Sequence, residues 1–158
     1  MRKLLEEEDM QIPDGLPPLH RSLKQLLDAG VKEVDGCFFL RGSSWEEQDV
    51  QMALARGEDR TGLECSVNNV YIQSVIDNDP ANALIDGSEV LKQGIHYAYD
   101  MAKWLAHLGE FQVILSYSGY DAQEIMSCSV RFHRNRSDEP AWLDENLENY
   151  QEEAVLVF

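Results

Sequence analysis

The groups in this 158-residue chain that could do chemistry are four histidines, three cysteines and one knot of basic residues. Arg131, His133, Arg134 and Arg136 form the knot, and Ser127 and Ser129 stand at even spacing from Arg131 and His133. On a strand these four alternate residues share one face. Cys128 has the opposite parity, so it cannot act as a nucleophile activated by His133. Ser129 has matching parity, but four residues of extended chain separate it from His133 by about 13 Å, too far for a direct hydrogen bond. The cluster therefore reads as a solvated basic edge pairing with the protein's own acids. The alternative is a polar sheet face around Arg131 and His133 that holds the carboxylate or phosphate of a small molecule or partner.

The remaining candidates carry less. His96 and His107 lie eleven residues apart on the polar side of a helical pattern, too far to share a metal, and read as solvated surface. His96 and Asp100 can pair across one turn, which is worth about 0.2–0.5 kcal/mol. His20 begins a helix beside prolines with no partner in reach by sequence. Asp77-Asn78-Asp79 suggests a calcium loop, but the glycine and glutamate that such a loop requires are replaced by Asn82 and Ser88. Cys37, Cys65 and Cys128 sit singly in apolar or alternating stretches, without metal-ligand spacing, and read as buried free thiols. No phosphate-loop, nucleophile-elbow or zinc-helix pattern occurs. No cofactor or metal is expected, and the chain is expected not to be an enzyme.

Charge points elsewhere. There are 29 Asp and Glu against 13 Lys and Arg, a net of −16. Direct binding to a nucleic-acid backbone or an anionic membrane needs clustered cations, so both are excluded as partners. The acids are gathered in two places. Glu6, Glu7, Glu8 and Asp9 form one run. After Arg136 come Asp138, Glu139, Asp144, Glu145, Glu148, Glu152 and Glu153, with no Lys or Arg among them. Such a run is either a solubilising face or a surface for a basic partner. The residues assigned to partner binding are Asp138, Glu139, Trp142, Asp144, Glu145 and Glu148, with Trp142 and Tyr150 as aromatic anchors.

The elements that must position these groups follow from periodicity. Leu19, Leu23, Leu26 and Leu27 predict a helix stopped by Gly30, and Cys37–Leu40 predicts a buried strand after the Asp35-Gly36 turn. Ser44 and Glu47 form a capping box for a helix reaching Arg56. Alternation of Cys65 and Val67 with Glu64 and Ser66 predicts a strand within 62–76, and residues 77–87 read as loop. The strongest pattern is a helix from Glu89 to Leu108, with Ser88 as its cap, Gly109 as its stop and a wide apolar arc. Residues 111–117 and 126–133 alternate as an antiparallel hairpin with one buried and one wet face. A short acidic helix over 141–150 and a strand over 154–158 complete the chain.

The fold class expected is α+β, a single acidic domain over 1–158 in which an antiparallel sheet packs against a long central amphipathic helix. The N-terminus reaches acid after two apolar residues, unlike a signal peptide. No apolar run approaches the roughly 20 residues that span a bilayer. The protein is expected in the cytoplasm.

Ser129-Val-Arg-Phe-His133, followed by Pro140-Ala-Trp-Leu143 and the acidic segment into Glu153-Ala-Val-Leu-Val-Phe158, resembles the immunity proteins of bacterial polymorphic and contact-dependent toxin systems. The resemblance is one of profile over the whole chain: small, strongly acidic, α+β and without catalytic motifs. It implies a cognate nuclease toxin neutralised by tight binding, and it carries no residue-by-residue assignment.

Overall fold

The computed structural model describes residues 15–77, 86–118, 127–144 and 154–158. The described elements are α1 (Arg21–Ala29), β1 (Val31–Val34), β2 (Cys37–Leu40), α2 (Glu47–Ala55), α3 (Arg60–Val67), β3 (Val70–Tyr71), α4 (Ile72–Asp77), α5 (Gly87–Leu105), β4 (Phe111–Ser118), β5 (Ser127–Arg134) and β6 (Ala154–Val157). The fold is α+β, as the periodicities predict. β1 and β2 form an antiparallel ribbon, and the other strands form an antiparallel sheet in the order β3-β5-β4-β6. The β1–β2 turn is Asp35-Gly36, both at positive φ (49° and 76°), which matches the twist of a two-residue hairpin.

Sheet and long helix are joined by complementary periods. Val113, Leu115, Cys128, Val130 and Phe132 take alternate positions on β4 and β5, while Val90, Tyr97, Ala98, Met101 and Leu105 recur at helical spacing on α5. All are buried together. Gly94 lies at the closest approach: a Cβ there would stand 2.7 Å from Cys128 Sγ and 3.1 Å from Leu115 Cδ1. Helix α5 starts earlier than Ser88, because Asp86 is the residue whose carboxylate accepts from Glu89 N (2.9 Å). It ends at Leu105 rather than Leu108, which is 44% exposed.

Segment 62–76 departs furthest from expectation. It is mostly helix, α3 and α4, with only Val70–Tyr71 as strand. Asp59 Oδ1 accepts from Gly62 N at 2.7 Å and opens α3. Thr61, Leu63, Glu64 and Cys65 are buried on it, as is its C-cap Asn68, and Thr61, Glu64, Cys65 and Asn68 follow helical spacing. Glu64 and Asn68 are polar for a reason. Glu64 accepts from the backbone N–H groups of Phe38 and Arg134, each at 2.7 Å. Asn68 accepts from Leu40 N (3.0 Å) and donates to the carbonyls of Phe38 (2.8 Å) and Phe132 (3.3 Å). Side chains of α3 thus satisfy strand-edge groups of β2 and the end of β5, which no ladder satisfies.

Three local expectations also change. Helix α2 begins at Glu47 with Glu46 as its cap, and Glu46 N donates to Asp49 Oδ2 (2.9 Å), so Ser44 and Glu47 are not the capping pair. His20 and His96 bind rather than merely solvate, while His107 is exposed, as expected. His20 Nδ1 accepts from Ser22 N (3.3 Å) at the start of α1, and His96 meets the Pro17 carbonyl (2.9 Å) and Asp100 (3.3 Å). Residues 141–144 are irregular, and the rest of the predicted acidic helix lies outside the described residues. Among the described residues no helix is long and apolar enough to cross a membrane.

Candidate functional site

The outer face of the sheet, opposite α5, carries Gln112, Ile114 and Ser116 on β4 against His133, Arg131 and Ser129 on β5. This face is not wet. Ser129 and His133 are only 3% and 4% exposed, Ser116 is buried, and α3 packs across β5. His133 Nδ1 lies 3.0 Å from the Arg134 carbonyl, and Nε2 lies 3.1 Å from the Gln112 side-chain oxygen. Both ring nitrogens are therefore engaged, and no hydroxyl or thiol among the described residues bonds to them. Cys128 faces α5 from the opposite side, as its parity predicts. Burial pushes all three thiols up to about 12, so none is a ready thiolate at neutral pH.

Beside His133 stands the best-connected ion pair of the described structure. Arg136 meets the fully buried Glu64 with both terminal nitrogens (2.7 and 2.8 Å) and also donates to the carbonyls of Gly36 (2.8 Å) and Arg134 (3.3 Å). Burial works against the Arg136 charge, but the hydrogen bonds and charge of Glu64 outweigh it and raise its pKa. The basic knot is thus divided. Arg136 is structural, and among the described residues Arg131 reaches Ser129 Oγ, at 3.4 Å, with its Nε buried and lacking a hydrogen-bond partner.

The chain leaving Arg136 folds back over the start of α3. Glu139 accepts from Thr61 Oγ1 (2.7 Å), Thr61 N (2.8 Å) and Arg60 N (3.3 Å). Burial raises the Glu139 pKa, but the Thr61 hydroxyl and the two backbone donors outweigh it and hold the carboxyl below its ordinary range. This carboxylate serves the helix terminus. Trp142 then lies along α3, 3.7 Å from where a Gly62 Cβ would stand, and remains 38% exposed.

Between this segment and the sheet opens a cleft of about 600 Å³, within the range of small-ligand sites. Gln112, His133 and Val157 line it from the sheet, Thr61 from α3, and residues from Asn135 to Asp144 from the returning chain. Of the residues assigned to partner binding, Trp142 and Asp144 meet at the cleft. Asp138 is exposed nearby in sequence, and Glu139 points inward. Glu145, Glu148 and Tyr150 lie outside the described residues, as does the run Glu6–Asp9. Glu64, Glu110, Gln112 and Val157 escaped sequence reasoning. The helical spacing of Thr61, Glu64, Cys65 and Asn68 was a signal for Glu64; for Glu110, at the entry to β4, none existed. Among the described residues no group of three His, Cys, Asp or Glu side chains is placed to hold a metal ion.

Fold and cleft together define an α+β domain with a tryptophan-edged depression on the outer face of its sheet. Over residues 1–158 the chain matches, and belongs to, the uncharacterized protein PM0498 family. No curated protein and no solved structure matches it.

Proposed function

We propose that this protein is a non-enzymatic binding protein that captures and neutralises a basic protein partner, with a nuclease toxin domain as the partner class, in the cytoplasm. The observation that carries the reading is Trp142, a large aromatic left 38% exposed at the edge of a cleft, with exposed Asp138 and Asp144 on either side in sequence. Exposed aromatics at the centre of a patch supply most of the affinity in protein interfaces. Carboxylates around them supply orientation and on-rate. A net charge of −16 gives long-range attraction to a basic cleft such as a nuclease presents. Glu139 contributes to this surface only indirectly, by holding the 137–144 segment on α3.

The test uses a basic nuclease domain, taken from a secreted protein if one is encoded beside this gene. Trp142→Ala should weaken binding by about 30-fold, mostly through dissociation. Asp138→Lys with Asp144→Lys should slow association by about tenfold. Unchanged kinetics in both variants, with folding intact, would remove the surface from the reading.

A second reading is favoured by Arg131. A partly buried guanidinium with an orphaned Nε and one long contact is set up to receive a small carboxylate or phosphate ligand. A metabolite thermal-shift screen separates the two: stabilisation lost in Arg131→Ala supports a small-molecule site, and no hit removes it.

A further inference from the structure

We infer that the cleft beside Trp142 is a binding site for an uncharged saccharide, a pyranose disaccharide with one ring against the indole. This goes beyond the partner-binding reading above and does not rest on it. Charge does not select the occupant here. Arg136 is answered by Glu64 at 2.7 and 2.8 Å, and Asp144 is already engaged. What the lining offers is hydrogen-bonding groups of both kinds on two walls. Glu110, at the entry to β4, and the Gln112 amide come from the sheet side. Asn135 and Ser137, both exposed, come from the returning chain and bring an amide and a hydroxyl.

Trp142 decides what such a lining can grip. Its Cζ3 lies 3.7 Å from where a Gly62 Cβ would stand, and the residue is left 38% exposed at the rim. An indole is apolar over its faces and carries a polar N–H at one edge. A pyranose ring has the matching form, with C–H groups over a face and hydroxyls around its edge. Each hydroxyl both donates and accepts, so it can answer a carboxylate, an amide or another hydroxyl. A purely apolar ligand would cover the same lining groups without pairing them, which is unfavourable. An anion would approach a chain of net charge −16. Leu143 and Val157 extend the apolar surface beside the indole, and about 600 Å³ is room enough for two rings.

The full chain, titrated with maltose, cellobiose and diacetylchitobiose and watched through the Trp142 indole N–H signal by NMR, tests this. Trp142→Phe identifies that signal. At least one disaccharide should move it saturably at millimolar concentration, while N-acetyl-arginine amide and N-acetyl-glutamate amide leave it in place. Followed through the Gln112 side-chain amide signal, Trp142→Tyr keeps a flat ring and should bind within several-fold of wild type. Trp142→Leu is apolar but not flat and should lose binding. Asn135→Ala with Ser137→Ala, both at exposed positions, should weaken binding several-fold and serves as the test if Trp142→Leu does not fold. An indole unmoved by all three disaccharides, or moved equally by either charged probe, overturns the site. So does undiminished binding in Trp142→Leu or in the Asn135/Ser137 double variant. If the disaccharides fail while the basic domain still binds through Trp142, the saccharide site falls and the partner reading stands. If a disaccharide binds and the basic domain does not, the saccharide site stands and that partner falls.

Discussion

Replacing Arg136 with methionine should destabilise this fold by about 3–5 kcal/mol, the cost of leaving one member of a buried ion pair without the other. Glu64 is fully buried, so its carboxylate cannot turn to water when the guanidinium is gone. Two backbone donors, Phe38 N and Arg134 N, would remain on it, each at 2.7 Å. Those donors make the double variant informative. In many proteins a buried pair can be replaced by apolar residues with little loss. Here Glu64→Leu with Arg136→Met orphans both N–H groups, at about 1–3 kcal/mol each. The double variant should therefore stay about 2–6 kcal/mol below wild type, yet lose less than the sum of the two single changes. Urea denaturation of the four proteins, analysed as a double-mutant cycle, measures both quantities. An Arg136→Met loss under about 1 kcal/mol, or a double variant as stable as wild type, would refute the role given to Glu64 as the tie between β2 and β5.

Glu139 carries a signed pH dependence. Its folded pKa lies below the ordinary carboxylate value, so its stabilisation is fully present above that value and is lost as pH falls through the lower folded one. Glu139→Gln should flatten the acid side of the stability profile and cost about 0.5–2 kcal/mol at neutral pH; an unchanged profile speaks against it. Gly94→Ala should destabilise by about 1–3 kcal/mol despite alanine's better helix propensity, because the new methyl meets Cys128 Sγ. Thermal denaturation should show that penalty shrinking in a Cys128→Ala background, and an equal penalty there would contradict the contact. Among the described residues the buried Tyr97 hydroxyl has no hydrogen-bond partner, so Tyr97→Phe should be as stable as wild type or more so, and a loss above about 1 kcal/mol would show the hydroxyl to be satisfied.

What the sequence made legible was whatever repeats with a period. The apolar arc of α5, the alternation of β4 and β5 and the lone cysteines all reached the structure as expected, because burial of one face imposes those patterns. Segment 62–76 failed for the converse reason. Glu64 and Asn68 occupy core-facing positions of α3 yet are polar, since they satisfy strand-edge groups at β2 and β5. Without knowing that Arg136 arrives 72 residues later, the helical face is hidden and Cys65/Val67 alternation dominates. The same long-range partnership removed the wet sheet face, because α3 covers β5. At the cleft, Trp142 and Asp144 belong to the acidic segment that composition singled out. The inward turn of Glu139 depends on Thr61, 78 residues earlier, and no local pattern encodes it.

The account's central claim is that an acidic surface edged by Trp142 receives a basic protein. It is tested most directly by the association rate of the full chain with a basic nuclease domain that binds it, measured as ionic strength is raised. Steered association predicts a steep fall in that rate with added salt, alongside a dissociation rate that Trp142→Ala increases. An association rate indifferent to salt, with dissociation unmoved by Trp142→Ala, would contradict it.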